Sequence, residues 1–205
     1  MRVVFREDRA VLDIRPLTPN IGAEVLGIDL SSTPDDGTFA ELDKAFADYK
    51  VEMNKIDAKG VGEPIGTVNI SAAQGGGVTL TPDLRGLPPG AHGFHVHQFA
   101  NCGAKEKDGK MEPGEMAGPH YDPDKTGKHL GPAGVGHKGD LPVLNVAANG
   151  EAKQAVTAKR LKLEDLNGKS LIVHVGGDTY SEPPPLGGGG TRIACGTIEA
   201  TATKK

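Results

Sequence analysis

From residue 51 onward, apolar and polar residues alternate in short runs separated by Gly, Pro and Asp: VEMNKI, IGTVNISA, GVTLTP, GFHVHQF, PVLNVAA, EAKQAVTA, SLIVHV and CGTIEATA. Alternation with period two is the pattern of strands with one buried face, and eight such runs predict an all-β domain, an antiparallel sandwich or barrel. One interruption, residues 100 to 139, has little periodicity. A stretch that long inside a compact domain points to a functional loop. Before residue 51 the pattern differs. VLDIRPLTP and AEVLGIDL predict two short strands joined by a Gly/Pro turn, and Phe39, Leu42, Ala45, Phe46 and Tyr49 recur every three or four positions, which predicts an amphipathic helix over 35–49.

Composition sharpens that division. Residues 1–50 hold 6 basic and 10 acidic side chains, 3 of the 30 glycines and none of the 7 histidines, whereas the rest holds 17 of each charge, so the whole net charge of −4 sits in the first quarter. Such a shift suggests a junction near residue 50, with a small α/β appendage at 1–50 and the all-β domain at 51–205. No apolar run approaches membrane-span or signal-peptide length, which implies a cytoplasmic chain as written, and the scattered Lys and Arg argue against nucleic acid as a partner. The two cysteines, Cys102 and Cys195, form no CxxC pair; they read as one long-range disulfide or as two unrelated buried thiols.

The histidines carry the chemistry. His95 and His97 in GFHVHQ share one face of a strand while Phe94 and Val96 take the other, which makes half of a metal site. An HxH is commonly incidental on its own. Here His120, His129 and His137 follow in the long interruption, Asp140 comes three residues after His137, and His174 sits on a later strand. Imidazole suits copper and zinc, and a carboxylate completing three histidines suits four-coordinate zinc.

GFHVHQF, GPHYDPDKTGKHLGPAGVGHKGDLP and LIVHVGGDTYSEPPPLGGGGTRIACGTI, in that order, resemble copper/zinc superoxide dismutase of the bacterial type over about residues 51–201. The resemblance implies an eight-stranded antiparallel Greek-key β barrel or sandwich with long metal-binding loops. It implies copper ligands at His95, His97, His120 and His174, zinc ligands at His120, His129, His137 and Asp140, and a shared His120 that also carries a catalytic proton. Asp178 would link a copper-side and a zinc-side histidine, Arg192 would draw in and hold superoxide, and Cys102–Cys195 would be an intrasubunit disulfide. The implied reaction turns superoxide into dioxygen and hydrogen peroxide by copper redox cycling, an antioxidant activity. The family points to the periplasm and allows a homodimer; Lys105, Lys107 and Lys110 are candidates for steering the anion.

Residues 14–50, IRPLTPNIGAEVLGIDLSSTPDDGTFAELDKAFADYK, are similar to the opening of the taurine dioxygenase family of iron and 2-oxoglutarate enzymes, and His120-Tyr121-Asp122 spells that family's HxD. A non-haem iron dioxygenase is therefore the rival reading. A copper- or zinc-binding module without catalysis is a third, which would need the same ligands but not Arg192.

Overall fold

In the computed structural model the described residues are 49–199 and two short strands before them. The chain divides into two compact units, the larger spanning Asp48–Ala200. In the smaller unit, β1 (Asp13–Pro16) pairs antiparallel with β2 (Ala23–Leu26), as the Gly/Pro-separated runs predict. The helix expected at 35–49 falls outside the described residues except for Tyr49, which opens a strand. No α-helix occurs among the described residues, so the expectation of an α/β appendage is corrected: what is described of it is the antiparallel strand pair β1–β2.

The larger unit contains β3 (Tyr49–Asp57), β4 (Gly60–Ala72), β5 (Val78–Leu84), β6 (Gly90–His92), β7 (Phe94–His97), β8 (Lys105–Lys107), β9 (Lys110–Glu112), β10 (Leu144–Val146), β11 (Val156–Ala158), β12 (Lys169–His174) and β13 (Arg192–Ile198). Alternation does what its period demands: along β5, Val78, Leu80, Pro82 and Leu84 are buried and the residues between them are half-exposed. The inward residues, among them Val51, Met53, Val68, Ile70, Leu80, Phe94, Val96, Leu171 and Val173, form one apolar core.

Each of the eight alternating runs contains a strand, but they do not make eight strands of one barrel. Seven pair in the order β11-β5-β4-β3-β13-β12-β7, and the remaining one, β10, pairs with β6 in a separate ribbon. The expected closed eight-stranded barrel is thus corrected to a seven-stranded antiparallel half-barrel of a β-sandwich. The physical reason lies at the outer edge of β7. There the Val96 N–H donates to Gly139 O at 2.9 Å and Val96 O accepts from the Tyr121 N–H at 2.8 Å. The long loop, not another strand, satisfies that edge, which sets Asp140 opposite His95 and His120 opposite His97. Gly139 makes the approach possible, because a Cβ there would lie 2.3 Å from Val96 O.

A second irregularity aims a side chain. The β12–β13 register shifts between Val173 and His174, so that His174 pairs with Arg192. A bulge here turns the last residue of the strand toward the loops, the usual service of a bulge beside a site.

Candidate metal centre

His95 and His97 project from β7 away from the core that holds Phe94 and Val96, as the period-two reading requires. His174 closes β12, and His120 is delivered by the loop against the β7 edge. These four rings are buried, and one donor atom from each lies within 4.8 Å of the others. A second group, His95, His120, His129 and Asp140, meets the same criterion. His137 lies outside that tighter set, with its Nδ1 3.5 Å from Asp140 Oδ1.

Accounting for each ring nitrogen assigns the rings to sides. His95 Nε2 donates to Asp178 Oδ2 at 2.8 Å, His97 Nδ1 to Gly118 O at 2.8 Å and His174 Nδ1 to Gly190 O at 2.9 Å. A nitrogen that donates carries the proton, so the other nitrogen presents a lone pair. Those others, His95 Nδ1, His97 Nε2 and His174 Nε2, are buried and without a hydrogen-bond partner, and so is His120 Nε2. Nδ1 is thus the atom that His95 can offer a metal, its Nε2 being committed to Asp178.

On the other side, His120 Nδ1 lies 2.9 Å from Asp140 Oδ1, and His129 Nδ1 lies 3.1 Å from Asp140 Oδ2. His129 Nε2 donates to the second oxygen of Asp178 at 2.8 Å. His129 Nδ1, His137 Nδ1 and Asp140 Oδ2 are again buried without a hydrogen-bond partner. Buried polar atoms are otherwise almost always paired, and seven orphans converging on two points call for cations rather than packing. The donor chemistry fits copper on the four-imidazole side and zinc where a carboxylate joins histidines.

The electrostatics differ between the sides. Burial, aided by neighbouring rings, pushes His95 down to about 3 and His174 to about 4, holds His97 well below the ordinary imidazole value and lowers His120. His129 goes the other way. Burial would lower it, but Asp140 and Asp178 outweigh that and raise it to about 9. Burial would likewise raise both carboxyls, yet the hydrogen bonds from the surrounding histidines hold Asp140 and Asp178 far below the usual carboxylate range.

Asp178 thus links His95 to His129, with a further bond from the Tyr180 N–H at 2.7 Å. Gly187 is what lets this network close, because a Cβ there would lie 2.0 Å from Asp178 Oδ1 and 2.7 Å from His129 Nε2. Arg192 donates to Gly114 O and to Gly118 O, at 2.5 and 2.9 Å. Gly118 O therefore receives both Arg192 Nη2 and His97 Nδ1, which fixes the guanidinium beside the four-ring cluster. Cys102 and Cys195 form a disulfide, joining the start of the loop to β13.

The chain matches the family model of copper/zinc superoxide dismutase over residues 64–198. It is 55% identical over 155 residues to "Superoxide dismutase [Cu-Zn] 2" of Salmonella typhimurium, covering 75% of this chain and 89% of that one. It is 53% identical over 155 residues to "Superoxide dismutase [Cu-Zn]" of Escherichia coli, with the same coverage. The chain belongs to the copper/zinc superoxide dismutase family. Among solved structures, the Cu/Zn superoxide dismutase from Brucella abortus superposes with TM-score 0.71 at 51% identity, covering 73% of this chain and 98% of that one. The monomeric copper, zinc superoxide dismutase from Salmonella enterica gives 0.66 at 53% identity, with the same coverage. The protein is accordingly an oxidoreductase that dismutes superoxide.

These comparisons give the dioxygenase reading no support. Geometry also removes its HxD: Asp122 accepts from Thr126 Oγ1 at 3.2 Å and from the Gly127 N–H at 2.8 Å, closing a turn of its own. Lys105, Lys107 and Lys110 are exposed on the β8–β9 hairpin, where Lys107 Nζ pairs with Glu115 at 3.1 Å. Sequence reading passed over the acceptors at Gly114, Gly118 and Gly190. A main-chain carbonyl has no residue signature, so no signal for them existed. It also passed over Arg160, which donates to Gly136 O at 2.8 Å and His137 O at 3.1 Å.

Proposed function

We propose that His95, His97, His120 and His174 hold copper, that His120, His129, His137 and Asp140 hold zinc, and that Arg192 binds the substrate. Two superoxide anions and two protons become one dioxygen and one hydrogen peroxide, one anion losing the electron that the other gains. Copper bound at the four rings supplies the one-electron couple that joins these halves. The chain's own residues do the rest. Arg192, an always-charged donor anchored on two carbonyls, draws in the anion and orients it. His120 holds and releases a proton at Nε2, which has no hydrogen-bond partner, while its Nδ1, 2.9 Å from Asp140 Oδ1, faces the side where zinc would be held. Asp178 keeps His95 and His129 in the tautomers that turn lone pairs inward. The observation that carries this reading is the set of buried, unpartnered histidine nitrogens converging beside Arg192.

Every residue in this scheme lies within Asp48–Ala200, so we assign residues 1–47 no part in turnover. One assay tests both statements: superoxide decay by the copper- and zinc-loaded protein, its metal-free form, an Arg192→Ala variant and a chain beginning at Asp48. The expected result is decay that requires copper, falls about tenfold or more in the variant and survives the truncation. Activity indifferent to Arg192 would remove its role, and loss of activity on truncation would return the N-terminal unit to the mechanism. A homodimer, which the family resemblance allows, is read from sedimentation of the same sample.

A further inference from the structure

The turn Glu115–Ala117 lies between the two carbonyls that anchor Arg192, those of Gly114 and Gly118. At its centre is Met116, which is 44% exposed, whereas Met53 is fully buried. Its backbone N–H donates to Gly103 O at 3.1 Å, next to the disulfide. Its sulfur packs over Gly103 so closely that a Cβ there would come within 2.7 Å of it. Met116 also lines an open cavity of about 400 Å³, together with Phe99, Glu115 and Gly118. The Met116 side chain is therefore reachable by small solutes from the cavity, and the residue sits two positions from the carbonyl that receives both Arg192 and His97.

We propose that Met116 is a site of oxidation by hydrogen peroxide, the product of this enzyme, and that its sulfoxide lowers activity by displacing the carbonyls that hold Arg192. The inference rests on the dismutase reading, which supplies the oxidant. The sulfur attacks one peroxide oxygen; the S–O bond forms as the O–O bond breaks, sulfur gives up two electrons, and the departing hydroxide takes the proton of the transferred oxygen to leave as water. The new oxygen adds bulk and polarity to a sulfur packed against Gly103, so that contact is lost and the turn shifts away from Gly103. A shift of the turn moves the Gly114 and Gly118 carbonyls, and with them the guanidinium.

Met111 is the internal control. It is 48% exposed, on β9, and holds no acceptor of Arg192. The copper- and zinc-loaded protein, with Met116→Leu and Met111→Leu variants, is exposed to hydrogen peroxide and then to methionine sulfoxide reductases, with peptide mass and superoxide decay followed together. Leu preserves volume at either position. The expected result is a 16 Da gain at Met116. It is accompanied by a roughly tenfold fall in rate that the reductases reverse, seen in the parent and Met111→Leu proteins and absent from Met116→Leu. Full oxidation of Met116 with unchanged rate, protection of Met116 while Met111 oxidises, or a reversible loss that persists in Met116→Leu would each overturn it. An untreated protein without activity would instead fail the dismutase reading, and the mass measurement keeps the two failures apart.

Discussion

His95, His97 and His174 stand on β7 and β12, adjacent strands paired from Ser170–His97 to Val173–Phe94. His129, His137 and Asp140 stand on a loop with no ladder of its own, and their positions depend on groups elsewhere in the chain. Asp178 holds His129 from beyond β12, Arg160 grips the carbonyls of Gly136 and His137, and Lys138 is paired with Asp165 at 2.6 Å. The disulfide ties the beginning of the loop region to β13 across a separation of 93 residues, a cross-link worth about 4–5 kcal/mol in the chain-entropy account. The side proposed for copper is therefore built by strand register and the side proposed for zinc by anchors. A register is shared among many hydrogen bonds, whereas an anchor is a single side chain, so single substitutions should divide the two halves.

Asp178→Asn should divide them most. The amide retains one acceptor and presents N–H groups where a histidine N–H already points, so one of His95 and His129 loses its partner. His95 keeps its place in β7, opposite Ile172 on one edge and Asp140 on the other. His129 has no such ladder. Zinc affinity should fall about 10–100-fold, the usual cost of losing a ligand's outer partner, with a smaller loss for copper. Competition against a chromophoric chelator measures both, and equal losses would break the distinction between register and anchor.

A smaller effect is expected from Arg160→Gln, which removes two charge-assisted donors while leaving every candidate ligand in place. Zinc affinity should drop about tenfold, and limited proteolysis of the metal-free protein should cut residues 122–139 sooner. Copper affinity should hold. A parallel loss of copper would mean that the loop supports the strand-borne rings as well.

The same contrast explains what could be read from sequence. The alternation in GFHVHQF places two histidines on one face and two apolar residues in the core without knowledge of anything distant, and the structure has them so. The strand count could not be read that way. Alternation announces a half-buried strand but not its partner, and PVLNVAA pairs with β6 while the loop takes the edge of β7. Anchors are harder still. Arg160 in TAKRLK is indistinguishable from a surface arginine until the fold brings Gly136 and His137 to it. The family resemblance could name candidate ligands because they are side chains with a spacing; it could not reach Gly118, whose contribution is a carbonyl.

The smallest expected effect, and the one that tests the two halves at once, is the pH dependence of stability in the metal-free protein. In the four-ring cluster His95, His97, His120 and His174 all have folded values below the imidazole reference of 6.5. The unfolded chain then binds more protons than the folded one, so stability is present above about 6.5 and is lost as pH falls toward the folded values, about 3 for His95 and about 4 for His174. His129 has the opposite sign. With its folded value near 9, its contribution is fully present below about 6.5 and is lost as pH rises through 9. Calorimetry of the metal-free protein should therefore show a melting temperature that is highest near neutrality and declines on both sides. The acid side should be steeper, because four lowered rings and two lowered carboxyls, Asp140 and Asp178, act there and one raised ring acts on the alkaline side. His129→Gln should flatten the alkaline decline, while the acid decline set by the four lowered rings remains. Metal on the same nitrogens replaces the protons, so the loaded protein should lose most of the slope on both sides. An alkaline decline unchanged by His129→Gln would show that Asp140 and Asp178 do not hold that ring as the geometry requires.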